Sequence, residues 1–359
     1  MAVSSNVGLR KKIEGDEGII RSSMRPGKHI TFFIGNGFDL NVGLHTKYKD
    51  FYDVYIKNHK NDMLANVIKK DYNNWADLEL ALGKYTDEVG FEDEESFWES
   101  EGLLEQELKG YFRSQVTWID PSAFSKNKIS SKMHITLEKF YEDLPENHMN
   151  HFKDILNSTS CDLEYSFIIF NYTNVFDRCV DTMYKNGICF KSHKDYLGRE
   201  YKHKLGKVLH IHGTVDDEMV LGVNDESQIA NVRFRGNDLC RKTLIKRETN
   251  QNYGNTKVDR TQKIIDDSLI ICIFGMSIGE TDKMWWQYIA EWLREDQDRM
   301  LVIYVRDSKA TARYHIFTAQ KKTYEKFKKN ASVPENVWKQ IKKQICVKVN
   351  ANMFDFRLV

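Results

Sequence analysis

Short apolar segments that end in glycine or polar residues recur along this chain of 359 residues. Their length and their content of Ile, Val, Phe and Leu are typical of buried β-strands. Predicted strands lie at residues 31–34, 165–170, 208–211, 219–223, 269–274 and 301–305. Because helical segments separate most of these strands, the pattern favours an α/β fold with a parallel, Rossmann-like sheet.

Helical spacing dominates residues 44–160, where apolar side chains recur every three or four positions, as at Trp75, Leu78, Leu82 and Tyr85. A crossover between two parallel strands needs only one helix. We therefore predict that this stretch forms a large inserted helical lobe over the carboxyl edge of the sheet.

The remaining sequence divides around this lobe. Residues 1–28 are polar and end in a Pro-Gly break, which predicts an N-terminal arm. Residues 29–43 and 161–350 are expected to form the Rossmann-like domain, which carries a polar and basic insertion at residues 226–265. Further helices are predicted at about residues 309–344.

Composition narrows the classes of partner. The chain has 53 basic and 52 acidic residues and a net charge of +1, so we expect neither nucleic acid nor an anionic membrane as partner. No apolar run is long enough to span a bilayer, and the N-terminal segment lacks the apolar core of a signal peptide. Six scattered cysteines fit a reducing compartment, which predicts a cytoplasmic location.

The first predicted strand runs directly into the turn Gly35-Asn36-Gly37. Glycine has no Cβ and tolerates positive φ, so the backbone amides of such a turn can approach a diphosphate closely. A tight connection between strand and helix is the alternative interpretation of the same turn. Asp39, two residues further on, is a candidate either for contact with a ribose or for capping the helix that follows.

Glycines and polar side chains also follow the later strands. In an open parallel sheet the ligand crevice lies at the carboxyl ends of the strands, so these residues are expected to share one site. The candidates are Asn171, Thr173, His212, Gly213, Asn224, Gly275 and Ser277. Three of them could instead have a purely structural role. Asn171 could satisfy buried backbone groups, Ser277 could cap a helix, and His212 could be a core residue whose ring nitrogens are hydrogen-bonded within the protein.

These motifs resemble those of the bacterial phage abortive-infection family AbiH. The similarity runs from about residue 30 to about residue 305 and includes a long opening motif at residues 35–48. Its later parts are Trp-Ala-Asp-Leu-Glu at 75–79, Asn-Tyr-Thr at 171–173, His-x-His-Gly at 210–213, and Gly-x-Ser at 275–277 followed by Thr281-Asp282. The resemblance implies a role in phage defence, and with it a phage-derived trigger and a homo-oligomer.

The order of the motifs is also similar to that of sirtuin-like NAD-binding domains. That resemblance implies NAD as substrate or ligand, His212 as the catalytic base, and Asn171 beside the nicotinamide ribose or an attacking water. It also implies that Gly275 and Ser277 form a binding turn for the cofactor. The chain departs from the sirtuin pattern in having Thr173 in place of an aspartate and Asn36 in place of an alanine.

Cysteine spacing changes the reaction that the resemblance implies. The chain contains no Cys-x-x-Cys pair, so it lacks the zinc module of deacylating sirtuins, and no metal is expected. Cleavage of the nicotinamide–ribose bond with water as acceptor is the reaction that remains for an NAD site. Histidine suits the role of base, since its unperturbed pKa is about 6.5. The leading hypothesis is therefore an NAD-hydrolysing effector of abortive infection.

Two other functions stay open. The same pocket could act as a non-catalytic nucleotide sensor whose occupancy the helical lobe transmits. Alternation along the strand predicts that His210 and His212 lie on one face, where they could chelate a metal with Asp225 or Asp282 in a nuclease or phosphatase. The neighbouring Trp-Trp pair at 285–286 is expected to pack a helix, and the basic insertion is expected to be a solvated face.

Overall fold

The computed structural model describes residues 29–70, 77–87, 94–125, 127–184 and 187–359. The predicted N-terminal arm lies outside these residues, as do Trp75 and Ala76 of the family motif. None of the described helices is both long and apolar enough to cross a membrane.

A seven-stranded sheet forms the centre of the described structure. Its strands are β1 (His29–Ile34), β2 (Leu163–Ile169), β3 (Cys189–Lys194), β4 (Glu200–His210), β5 (Ser268–Phe274), β6 (Met300–Val305) and β7 (Ile345–Val349). They are arranged in the order β3-β4-β2-β1-β5-β6-β7, and each pairs in parallel with its neighbour except β3, which is antiparallel to β4. The predicted α/β class and Rossmann-like parallel sheet are confirmed.

The order of the strands in the sheet reverses at β1, because strands that follow it in the chain lie on both of its sides. Strands β2 and β4 follow on one side of it, whereas β5 and β6 lie on the other. Ile34 at the end of β1 pairs with both Ile169 of β2 and Phe274 of β5, so these three strands end side by side. A crevice at such a reversal point is the usual ligand site of an open parallel sheet.

Three strand assignments differ from the sequence prediction. Residues 219–223 form no strand; Val223 makes a single bridge to Ile245, because this buried segment pairs with the start of a helix instead of joining the sheet. The strands β3 and β7 were not predicted. β3 is a polar strand at the edge of the sheet, and β7 begins directly after a short helical turn, so neither shows a long apolar run bounded by turn residues.

Helices account for most of the chain between the strands. In chain order the described α-helices are α1 (Gly37–Val42), α2 (Tyr48–Asn58), α3 (Met63–Lys70), α4 (Leu78–Tyr85), α5 (Glu94–Thr117), α6 (Asn127–Lys139), α7 (Glu146–Ser158), α8 (Val175–Tyr184), α9 (Val232–Gly236), α10 (Asp238–Leu244), α11 (Lys246–Asn252), α12 (Lys257–Asp266), α13 (Lys283–Glu295), α14 (Arg313–Asn330) and α15 (Glu335–Ile341).

The helices between β1 and β2 contribute to two different cores. Helices α6 and α7 pack on one face of the sheet together with α1 and α8, through residues such as Met133 and Phe152. Helices α2 to α5 form a separate core with the segment that follows β4, where Leu82 and Phe112 are fully or almost fully buried beside Leu221. The helical content predicted for this stretch is confirmed, and the boundaries of the lobe stay a prediction.

Candidate functional site

A cavity of about 530 Å³ opens where the carboxyl ends of β1 and β5 meet the helices α2 and α4. Its wall includes the two glycine turns of the sheet, Lys47 and Tyr48 at the start of α2, Asp77 and Glu79 at the start of α4, and His212 after β4. The volume falls within the range of about 300–1,000 Å³ that is usual for small-molecule sites.

The two glycine turns pack backbone against backbone. The Gly37 amide donates to the Gly275 carbonyl at 2.8 Å, and the Gly35 amide donates to the Phe274 carbonyl at 2.9 Å. A Cβ on Gly37 would lie 2.4 Å from the Gly275 Cα, and Gly275 itself has φ of +69°. The two turns can approach this closely only because both positions are glycine. The amides of Gly35 and Gly37, which were expected to face a phosphate, instead donate to the neighbouring turn.

Asn36 fastens the loop in front of α2 to the first turn. Its Nδ2 donates to the Thr46 carbonyl at 2.7 Å, and the Thr46 hydroxyl donates to the Asn36 Oδ1 at 2.6 Å. Lys47, which follows directly, lines the cavity, and its ammonium forms no ion pair with the described residues. The predicted candidate Asn36 thus lines the cavity and also fixes one of its walls.

Asp39, Asn171 and Thr173 form a buried group behind the turns instead of lining the cavity. The Asn171 Nδ2 donates to one carboxylate oxygen of Asp39 at 2.8 Å, and the Thr173 hydroxyl donates to the other at 2.7 Å. Burial is the main cause that raises the pKa of Asp39 from 3.8 to about 7, against the effect of these hydrogen bonds. These hydrogen bonds connect α1 to the end of β2. The sequence had suggested a ribose contact or a helix cap for Asp39, and neither interpretation included this role.

The two histidines after β4 point to different partners. His210 Nε2 lies 2.8 Å from Asp177 Oδ2, and its Nδ1 lies 3.3 Å from the Asn171 carbonyl. His212 Nε2 lies 3.0 Å from Asp282 Oδ1. The predicted common face is wrong, because the strand ends at His210 and its alternation ends with it. Within the described ranges, no three His, Cys, Asp or Glu residues are grouped so that they could hold a metal ion.

A buried ionic network continues from His212 across the cavity wall. Asp282 Oδ1 also accepts from the Lys246 ammonium at 3.0 Å, and that ammonium donates to Glu79 Oε2 at 2.5 Å. The second oxygen of Glu79 accepts from the Tyr172 hydroxyl at 2.7 Å. The network therefore joins α4, the N-terminus of α11 and the segment before α13 through the buried Lys246 and Glu79 and the partly buried Asp282.

The charges of the network determine the protonation of His212. Burial opposes the ionisation of Asp282, but the Lys246 ammonium and the hydrogen bond from His212 outweigh it and lower the pKa of Asp282. Burial, assisted by the same ammonium, lowers the pKa of His212 below 6.5. An ionised Asp282 can only accept, so His212 Nε2 carries the hydrogen that it receives. Nδ1 then holds a basic lone pair, and it is buried without a hydrogen-bond partner among the described residues.

Three further polar groups of the cavity wall also have no partner in the described part of the chain. They are the hydroxyls of Ser277 and Thr281 and the Oδ2 of Asp77, whose Oδ1 accepts from the Leu80 amide at 3.1 Å. Burial and the neighbouring Glu79 raise the pKa of Asp77. Ser277 forms no helix cap, since Gly279 precedes the next helical turn. Unpaired polar groups that converge on a cavity indicate a ligand site.

Gly213 and Asn224 also lie outside this cavity, in addition to Asp39, Asn171 and Thr173. Gly213 has φ of +70°, and a Cβ on it would lie 1.7 Å from the Glu218 carbonyl oxygen. Asn224 Oδ1 accepts from the Met284 amide at 2.9 Å and thereby satisfies the start of α13. Asn224 also lines a chamber of about 20 Å³ that His212 shares with the larger cavity.

Aromatic side chains close the cavity beside His212. Phe170 meets the imidazole edge-to-face at 5.4 Å between ring centroids, and Trp286 stacks on Phe170 at 6.4 Å. Trp285 and Trp286 are 2% and 0% exposed, so the prediction that they pack their helix is confirmed. Trp286 and Phe170 nevertheless also contribute an apolar wall to the cavity.

Asp77, Glu79 and Lys246 were not predicted as site residues, and Asp282 was considered only as a ligand of a possible metal. Asp77 and Glu79 belong to the Trp-Ala-Asp-Leu-Glu motif and Asp282 to the Thr-Asp motif, which would have been the signal for them. Lys246 gave no comparable signal, because it lies in an insertion that was expected to be a solvated basic face. The structure instead buries it, with 5% of its surface exposed.

The motifs gathered at this cavity are spread over most of the chain, and so is the match to one family model. No curated protein is similar enough to the chain to count as a match. The family model described as bacteriophage abortive infection AbiH matches residues 31–304, which confirms the extent expected from the motifs. The chain therefore belongs to the AbiH family of bacteriophage abortive infection proteins.

Proposed function

We propose that this chain acts in abortive infection by binding NAD in the cavity and hydrolysing it to nicotinamide and ADP-ribose. One observation carries the proposal: a neutral, buried His212 with an unpaired Nδ1 lines a ligand-sized cavity at the reversal point of the sheet. A base whose pKa lies below neutrality is ready to accept a proton at physiological pH.

The charges of the wall support this reaction class. Glu79 and Asp282 contribute two carboxylates to the wall, and Lys246 is the buried cation that pairs with both. Cleavage of a glycosidic bond passes through an oxocarbenium-like transition state with positive charge on the sugar. Fixed negative charge beside the reacting ribose stabilises that transition state more than it stabilises bound NAD, in which the positive charge lies on the nicotinamide ring.

In the proposed reaction, His212 Nδ1 accepts a proton from a water molecule as its oxygen attacks C1′ of the nicotinamide ribose. The bond from C1′ to the nicotinamide nitrogen breaks, and nicotinamide leaves with the electron pair. Asp282 stabilises the imidazolium through its contact with Nε2. Asn171 contributes indirectly, since it holds Asp39 and thereby the end of β2.

The test is incubation of the purified chain with NAD, followed by chromatography of the products. His212→Ala is compared with His315→Ala, a matched change at an exposed position of α14. We expect nicotinamide and ADP-ribose from the unaltered chain and from His315→Ala, and a loss of at least about 100-fold in His212→Ala. Equal rates in the two variants would remove His212 from the mechanism.

A parallel calorimetric measurement separates catalysis from binding alone. NAD that binds the unaltered chain without any product would replace the proposed hydrolase with a nucleotide sensor. Activity that disappears on chelation would instead favour a metal-dependent reaction. A phage-derived trigger, a homo-oligomer and a cytoplasmic location stay predictions that accompany the proposal.

A further inference from the structure

Three polar atoms converge on one point of the cavity wall beside Gly279. The point is the position that a Cβ on Gly279 would occupy, and the three nearest heavy atoms to it are Ser277 Oγ at 3.4 Å, Asp77 Oδ2 at 3.6 Å and Thr281 Oγ1 at 3.7 Å. The missing side chain of Gly279 therefore leaves space that is open and surrounded by oxygen atoms.

None of these three atoms is used elsewhere in the described structure. No described residue donates to Asp77 Oδ2 or pairs with either hydroxyl, although Thr281 is only 4% exposed. Ser277 is exposed and Asp77 is half-buried, whereas the polar atom of a buried side chain such as Thr281 is normally paired within the protein or with a bound molecule. Since all three residues also line the large cavity, a polar part of its ligand is the natural partner.

The geometry points to a subsite for the vicinal hydroxyl pair of the adenosine ribose, formed by Asp77, Ser277 and Thr281 around the space left by Gly279. This inference rests on the proposed function, because it assigns the part of a ribosyl ligand that the cavity recognises. A carboxylate oxygen accepts from both hydroxyls of a diol, and the serine and threonine hydroxyls can donate or accept as required.

The same subsite discriminates between unmodified and phosphorylated ribose. A 2′-phosphate would bring about two negative charges against the Asp77 carboxylate, whose only described hydrogen-bond donor is the backbone amide of Leu80. Lys246 is held by Glu79 and Asp282 and does not pair with Asp77. The substrate class is therefore a dinucleotide whose adenosine ribose has a free diol, which is NAD and not NADP.

Gly279→Ala tests the subsite with little risk to the fold. Gly279 has φ of −74° and ψ of 167°, which any residue adopts, and the added methyl would make only ordinary contacts of 3.4 Å or more. The methyl fills the point on which the three oxygens converge. Gly110→Ala is the control, since Gly110 is exposed on α5 and a Cβ there would meet nothing within 4 Å.

Asp77→Asn is the second variant. Asparagine is as good an N-cap as aspartate, so the hydrogen bond to the Leu80 amide is retained while the charge is removed. We expect weaker binding of NAD and a smaller preference for NAD over NADP. Thermal unfolding of each variant shows whether it is folded before any binding is compared.

The experiment measures the dissociation constants of NAD, ADP-ribose and NADP by calorimetry. We expect NADP to bind the unaltered chain at least 10-fold more weakly than NAD, and Gly279→Ala to weaken NAD and ADP-ribose by about 10- to 100-fold. Equal affinity of Gly279→Ala and Gly110→Ala for NAD, equal affinity of the unaltered chain for NAD and NADP, or no binding of any of the three would overturn the subsite.

The subsite and the proposed hydrolysis can fail separately. Binding of ADP-ribose that depends on Gly279, without any turnover of NAD, would support the subsite and remove the hydrolysis. Turnover of NAD that is equal in Gly279→Ala and Gly110→Ala would remove the subsite and leave the hydrolysis in place.

Discussion

Replacing Lys246 with methionine removes the cation from the buried network while keeping a side chain of similar length. The Lys246 ammonium lies 2.5 Å from a Glu79 oxygen and 3.0 Å from an Asp282 oxygen. At an effective dielectric constant of about 20, each of these pairs is worth roughly 6 kcal/mol before the cost of desolvation. The variant leaves both carboxylates buried without their cation, and breaking such a pair typically costs about 3–5 kcal/mol.

Urea denaturation followed by intrinsic fluorescence measures this loss in the free energy of unfolding. Lys321→Met is the control, because Lys321 is 78% exposed and its contact with Glu325 spans 3.8 Å. We expect little change in the control. Restoring the charge balance by adding Glu79→Gln to Lys246→Met should recover part of the loss, since one buried carboxylate is then neutral. A Lys246→Met chain as stable as the control would refute the view that the network holds these elements together.

Three other predictions concern pH and the glycine turns. The pKa of Asp39 is raised from 3.8 to about 7, so the folded chain binds an extra proton between these values and its unfolding free energy should fall as pH rises from about 4 to about 7. Asp39→Asn should lose that part of the dependence, as urea titrations at several pH values would show, and an unchanged slope would contradict the assignment. Gly213→Ala should destabilise by more than about 1 kcal/mol in the same assay, and by clearly more than Gly254→Ala, because both have positive φ but only Gly213 is crowded. The rate of NAD loss should stay constant from pH 8 to about pH 6.5 and fall only below it, since burial lowers the pKa of His212; an acid limb above pH 7 would contradict a neutral base.

The sequence was sufficient for those parts of the fold whose signals are local. Apolar runs such as residues 269–274 identified the central strands, and the reversal of strand order brought the turns at Gly37 and Gly275 together as the parallel sheet implied. Residues 219–223 had the same local pattern but pair with a helix start. Periodicity describes which residues are buried, and it does not determine which partner buries them.

The site shows the same limit more sharply. A glycine or histidine at the end of a strand has few interpretations, so Gly35 and His212 could be proposed from their positions alone. Lys246 is different, because its burial depends on a carboxylate 167 residues away in sequence. In isolation such a lysine is expected to be solvated. Only the folded structure supplies the pair of acids that makes its burial favourable.

The cavity's walls come from separate parts of the chain. His212 follows β4, Asp77 caps α4, Glu79 lies on α4, and Lys246 begins α11. Three separate parts of the chain must therefore meet to form the cavity wall and the ionic network beside it. Glu79 connects to the sheet side through Lys246 and through Tyr172. A displacement of α4 would thus remove Asp77 from the point beside Gly279 and leave Lys246 with Asp282 alone. The position of α4 therefore determines whether the cavity wall and the ionic network are complete.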